Sequence, residues 1–168
     1  MPEAKPITSP GPYSNSGDFR RIFSEEIDSL YLLSLLLTAD PEKAEQCLVS
    51  GPEDSVNGKP VFKECAHSWA RRATIQNAVR VIKPRPMVEI APSNSDRGKT
   101  TPAEQAEIAV VLELELFDRF VYVMSVLEGY SDEDCSVLLG FALRDVITAR
   151  LRGLQQIKVH RNFTLSGR

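Results

Sequence analysis

Residues 114–157 read LELFDRFVYVMSVLEGYSDEDCSVLLGFALRDVITARLRGLQQI, and this stretch decides the fold. Leu116, Phe120, Val123, Met124 and Leu127 recur at three- and four-residue spacing, the mark of a helix with one apolar face. Glu128-Gly129-Tyr130 ends that helix, because Gly129 can take the left-handed C-cap conformation. Ser131 opens a second helix. Its hydroxyl is placed to accept from the amide of Asp134, and Asp132, Glu133 and Asp134 lie at the positive end of the helix dipole. Cys135, Leu138 and Leu139 give this short helix a buried side. Gly140 supplies the positive φ of a tight corner. A third helix begins near Leu143, with Ile147, Leu151 and Leu154 expected to face inward.

A short acidic helix, a glycine turn and a longer basic helix outline a helix-turn-helix, whose last helix enters the major groove. Opposite the apolar stripe stand Arg144, Thr148, Arg152 and Gln155, with Arg150 nearby. Arginine suits bidentate contacts to guanine or phosphate. The same pattern also fits the solvated face of an ordinary bundle helix, so the spacing alone leaves both readings open.

On these residues the stretch resembles the C-terminal DNA-binding region of the sigma-70 family, in its short extracytoplasmic-function group. Members carry a leucine, an arginine five residues later, a leucine-glutamate-glycine, a capping serine and a leucine-glycine turn. Here these are Leu114, Arg119, Leu127-Glu128-Gly129, Ser131 and Leu139-Gly140. Glu115 stands where the family usually has proline, and Asp145 lies near the start of a helix that is normally more basic there. The resemblance implies promoter DNA and core RNA polymerase as partners.

The chain has 168 residues, 42% of them hydrophobic, and a net charge of −3. That is enough for one medium domain or two small helical lobes. Charge alternates along it. Residues 20–54 are acidic, 63–85 basic, 104–134 acidic again and 144–168 basic, which suggests two lobes that each have a face suited to phosphate. The longest apolar run, residues 30–37, is too short to span a bilayer and no leader is seen, so a cytoplasmic protein without membrane contact is expected. Cys47, Cys65 and Cys135 are odd in number and widely spread, as in a reduced compartment. Cys65-Ala66-His67 lacks the further ligands of a zinc site, and Arg97-Gly98-Lys99-Thr100 lacks the first glycine of a phosphate loop. No catalytic constellation, metal site or cofactor is expected.

Residues 1–18, rich in proline and glycine, read as a disordered tail. A helix is expected from Phe19 to Leu37. Asp40-Pro41 opens another, with Asp40 as N-cap, and Gly51-Pro52 is expected to end it in a loop to residue 60. A long helix over residues 61–82 follows, then a Pro-rich linker over 83–100. Thr101-Pro102-Ala103-Glu104 has the form of a capping box opening the second lobe over 101–158, with a basic tail over 159–168.

The first lobe, 19–82, also resembles sigma-70. The group has a leucine- and tyrosine-rich helix, an asp-pro-glu-x-ala-glu segment, and a long helix with a tryptophan and an arginine-x-x-x-x-asparagine. Residues 30–37, 40–45, Trp69, Arg72 and Asn77 fit that outline. The likeness implies contacts to the promoter's upstream element or melted strand through Trp69, Arg71, Arg72, Asn77 and Arg80, and to polymerase through Glu42, Glu45 and Gln46. The family's acidic continuation after that segment is replaced by Cys47-Leu48-Val49-Ser50-Gly51-Pro52. Trp69 could stack on a base, but a lone tryptophan among apolar neighbours is more often a core residue. The expectation is therefore an all-α protein of two lobes joined by a Pro-rich linker. Its function is that of a sigma-factor-like initiation protein. The alternatives are a degenerate sigma-like protein that binds an anti-sigma factor or other regulator, and a stand-alone helix-turn-helix regulator.

Overall fold

A computed structural model describes residues 11–56, 60–86 and 103–166, and among them the fold is all-α. α1 (Ser16–Glu25) opens on a reciprocal cap: the Asp18 amide donates to Asn15 Oδ1 at 2.9 Å, and the Asn15 amide donates to Asp18 Oδ2 at 3.0 Å. Ahead of it, the Ser14 amide donates to the Val61 carbonyl at 2.7 Å, and Tyr13 stacks obliquely on Phe62. Residues 12–18 thus carry paired backbone and a cap where the sequence suggested a tail, whose residues 1–10 lie outside the described ones.

The helix expected over 19–37 is two. α1 gives way at Glu26 to α2 (Ile27–Thr38). The break lets two apolar faces reach two cores. Phe19, Ile22 and Phe23 join Leu30, Val61, Ala66 and Ala70, while Leu33, Leu36 and Leu37 enter the larger cluster.

α3 (Pro41–Val56) starts as expected, with Asp40 Oδ1 accepting from the amides of Glu42 and Lys43 at 3.0 and 3.3 Å. It does not stop at Gly51-Pro52 but runs through it. Pro52 removes one donor from the ladder without ending the helix. Gly51 is there for space: a Cβ on it would come within 2.3 Å of Phe23 Cε1. After a 3-10 turn (Lys63–Cys65), α4 (Ala66–Ile82) presents Ala66, Ala70, Ala73 and Ala78 inward, small residues that let it lie close to α1, α2 and α3. The helix expected from residue 61 therefore begins a turn later.

The second half contains α5 (Ala103–Leu112), α6 (Leu116–Tyr122), α7 (Asp132–Leu139) and α8 (Leu143–Ser166). The capping box proposed at Thr101-Pro102 lies outside the described residues. α6 widens into a π-helical turn, Val123–Leu127, in which the Glu128 amide reaches the Val123 carbonyl at 3.0 Å. α8 continues to Ser166, into the segment read as a basic tail.

The two sets of helices pack on each other through one core. Leu33, Leu36, Leu37, Cys47, Ile75 and Ala78 from the first half share a cluster with Phe117, Phe120, Val123, Met124 and Val146 from the second. Arg119 staples them. It is buried, no carboxylate among the described residues bonds to it, and its guanidinium donates to the carbonyls of Leu37, Leu112 and Leu114 over 3.2–3.4 Å. Leu37 and Leu112 lie at the C-terminal ends of α2 and α5, where helix dipoles favour a cation. Burial pushes the Arg119 pKa down, with Glu115 opposing.

Candidate nucleic-acid interface

α7, the turn at Gly140 and the start of α8 follow one another in the order expected from the sequence. Ser131 Oγ accepts from the Asp134 amide at 3.0 Å. Gly129 and Gly140 take φ of +73° and +74°, so both corners need glycine. The turn is closed by Ser136, whose hydroxyl donates to the Phe141 carbonyl at 2.6 Å, and Phe141 packs edge-on against Phe117 with ring centroids 5.2 Å apart.

The face that α8 buries is not the one expected. Val146, Ala149 and Gly153 point inward, whereas Leu151 and Leu154 are exposed and Ile147 is half-buried. The cause is crowding. α6 already fills the seam with Phe117, Phe120 and Tyr122, so α8 can approach only through small side chains. A Cβ on Gly153 would sit 3.4 Å from the Tyr122 side chain.

This rotation divides the five residues proposed to touch DNA. Arg144 is almost fully exposed and only 3.6 Å from Asp145, a loose surface pair. Thr148 is exposed, its hydroxyl donating to the Arg144 carbonyl at 2.7 Å, and Gln155 is exposed about two turns further on. Arg150 and Arg152 instead clamp the unit. Arg150 makes a bidentate pair with Asp132 of α7 at 2.9 and 3.1 Å. Arg152 does the same with Asp118 of α6 at 2.8 and 2.6 Å. The hydrogen bonds to Asp118 push the Arg152 pKa up. Asp118 is 2% exposed, so Arg152 neutralises a carboxylate that water cannot reach. Sequence reasoning missed this pair; its signal was the lone acid in the apolar run Leu116-Phe117-Asp118-Arg119-Phe120-Val121.

The first-half residues do not form one surface. Trp69 packs partly buried against the Phe19 cluster. Asn77 is buried, donating to the Cys47 carbonyl at 3.1 Å, while its Oδ1 has no partner among the described residues. Arg71 bridges the halves: it donates to Ser29 Oγ at 2.8 Å and to both oxygens of Glu128 at 2.7 and 2.5 Å. Hydrogen bonding to Glu128 raises its pKa. Arg72 lies half-buried near Tyr130, whose hydroxyl pKa burial pushes up and Arg72 partly draws back. Arg80 is exposed near the end of α4. Glu42, Glu45 and Gln46 stand together on the outer side of α3, opposite buried Ala44 and Cys47.

A cavity of about 430 Å³ opens between the end of α5 and α8, with Glu113 and His160 paired at 3.3 Å on its rim. Among the described residues no three His, Cys, Asp or Glu side chains converge as metal ligands, and no helix is long and apolar enough to cross a membrane. The chain matches no family model and no curated protein.

Proposed function

We propose that this chain is a sigma-factor-like transcription initiation protein that binds promoter DNA through the helix-turn-helix of α7 and α8. The observation that carries the reading is the geometry of that unit. A capped acidic helix and a left-handed glycine lead into a long helix with Arg144, Thr148 and Gln155 turned to solvent on one side. In this reading those residues make the contacts, and Arg150 and Arg152 hold the helix at its angle. The exposed Glu42, Glu45 and Gln46 on an unbroken α3 support a docking face for core RNA polymerase, and such a role belongs in the cytoplasm.

Fluorescence anisotropy with labelled duplexes of genomic promoter fragments tests it. Binding is expected to weaken steeply with salt, since each neutralised phosphate releases counterions. Arg144→Ala should cost about 1–3 kcal/mol at a base-reading position. DNA binding untouched by Arg144→Ala and Gln155→Ala together would remove this face from the account.

One observation favours a second reading, an interaction protein of the same fold that meets an anti-sigma factor or other regulator. Arg71, Arg150 and Arg152 are each held by one of the chain's own carboxylates. That reading is favoured if the chain forms a stable protein complex yet binds neither core polymerase nor DNA. A stand-alone helix-turn-helix regulator would bind DNA as a dimer on a symmetric operator, without polymerase.

A further inference from the structure

The same rotation that buries Val146, Ala149 and Gly153 leaves a row of large apolar side chains on the outer flank of α8. Leu143 is 38% exposed, Leu151 56% and Leu154 37%, with Ile147 half-buried among them. Their spacing of four, four and three puts them in one stripe, about 16 Å long at 1.5 Å per residue. Single exposed leucines are ordinary, but three on one flank over three turns, with Ile147 between them, form a patch. The stripe is distinct from the polar face: by the helical period Leu151 is its edge and Arg144 borders it, while Thr148 and Gln155 lie beyond. Leucines offer no hydrogen bond to phosphate or to a base edge, and isolated thymine methyls, the apolar groups of the major groove, would not cover a stripe of this length.

The charges bordering the stripe select what does. Arg144 lies along one edge and Lys158 beyond Leu154 at the C-terminal end, both exposed; on the other edge Arg150 is neutralised by Asp132, and the one acid of α8, Asp145, pairs only loosely with Arg144 from the side away from the stripe. A second copy of this chain, packed about a two-fold axis, would set these cations against their own equivalents. A complementary surface must be apolar along its centre and acidic along its edges.

We propose that the Leu143-Ile147-Leu151-Leu154 flank of α8 is a docking surface for an acidic amphipathic helix of a protein partner. A helix of three to four turns with leucines at matching spacing covers the stripe, and its glutamates reach Lys158 and Arg144.

The test uses the full chain and a fluorescein-labelled synthetic helix carrying leucines at four-three-four spacing with glutamates on both edges. The control is a peptide of the same composition in scrambled order. The ordered peptide is expected to bind saturably, and the scrambled one not. Leu151→Asp and Leu154→Asp, both at exposed positions, should each weaken binding at least about tenfold while leaving the melting curve in place. Lys158→Glu should weaken binding to the glutamate peptide and restore it to a peptide with lysines in their place, a swap that a folding defect cannot mimic. Equal binding of the two peptides, or wild-type affinity in Leu151→Asp, would overturn the proposal. So would a wild-type dimer that Leu151→Asp dissociates, because the stripe would then belong to a second copy. Thr148 and Gln155 are untouched in these variants, so DNA binding can fail or persist independently.

Discussion

At the scale of single residues, buried charge determines which side chains are free to act. Asp118 is wholly buried and Arg152 about half exposed, so the two halves of that pair are not equivalent. Removing the arginine strands a carboxylate in the core, whereas neutralising the carboxylate leaves the arginine in reach of water. Arg152→Ala should therefore cost about 2–4 kcal/mol, and Asp118→Asn about 1 kcal/mol, in urea melts. Equal losses would contradict this account of the pair. The thiols give a second prediction. Burial, and then Asp132 and Asp134, push the Cys135 pKa from the ordinary 9.0 to about 12. The folded chain thus keeps a proton that the unfolded chain releases between those values. This contribution is fully present below pH 9 and is lost as pH rises toward 12, so alkaline titration should lower the melting temperature. Cys65 is exposed while Cys47 and Cys135 are buried, so a thiol reagent near pH 8 should modify one cysteine in the native protein and all three after unfolding.

At the scale of elements, caps and glycines were legible in the sequence, and helix faces less so. Ser131, Gly129, Gly140 and Asp40 act through local hydrogen bonds and local φ, which the residue type fixes by itself. The inward face of α8 depends on what it meets. Ile147, Leu151 and Leu154 form as good an apolar stripe as Val146, Ala149 and Gly153, and the aromatic bulk of α6 decides between them. Arg150 and Arg152 were readable as cations but not as clamps, because their partners Asp132 and Asp118 lie on other helices. Gly51 misled for the same reason. It reads as a helix stop, yet it is the space that the Phe23 ring occupies. Gly51→Ala should gain about 1 kcal/mol in helix propensity and lose about 1–3 kcal/mol to overpacking, for a net loss in thermal melts. The penalty should shrink in a Phe23→Leu background, a coupling that a double-mutant cycle reads directly. Net stabilisation by Gly51→Ala alone would show that the close approach is not rigid.

At the scale of the molecule, the charge rhythm pointed to two lobes, and the packing joins them. Arg119 sits on the carbonyl ends of α2 and α5, and Arg71 ties α2 and α4 to Glu128 just ahead of α7. A shared core predicts shared cooperativity. Trp69, the single tryptophan, reports the first half, while circular dichroism reports every helix. Their denaturation midpoints should coincide, and separate transitions would mean that the halves fold independently. The proposed function also belongs to this scale, because in that proposal polymerase and DNA would be met by different halves.

The most direct measurement combines the purified chain with core RNA polymerase and reads transcripts from a library of genomic promoter fragments. The account predicts a complex with core and initiation at discrete sites, lost in Arg144→Ala. A chain that neither binds core nor starts transcription, and that ignores DNA at low salt, would contradict it.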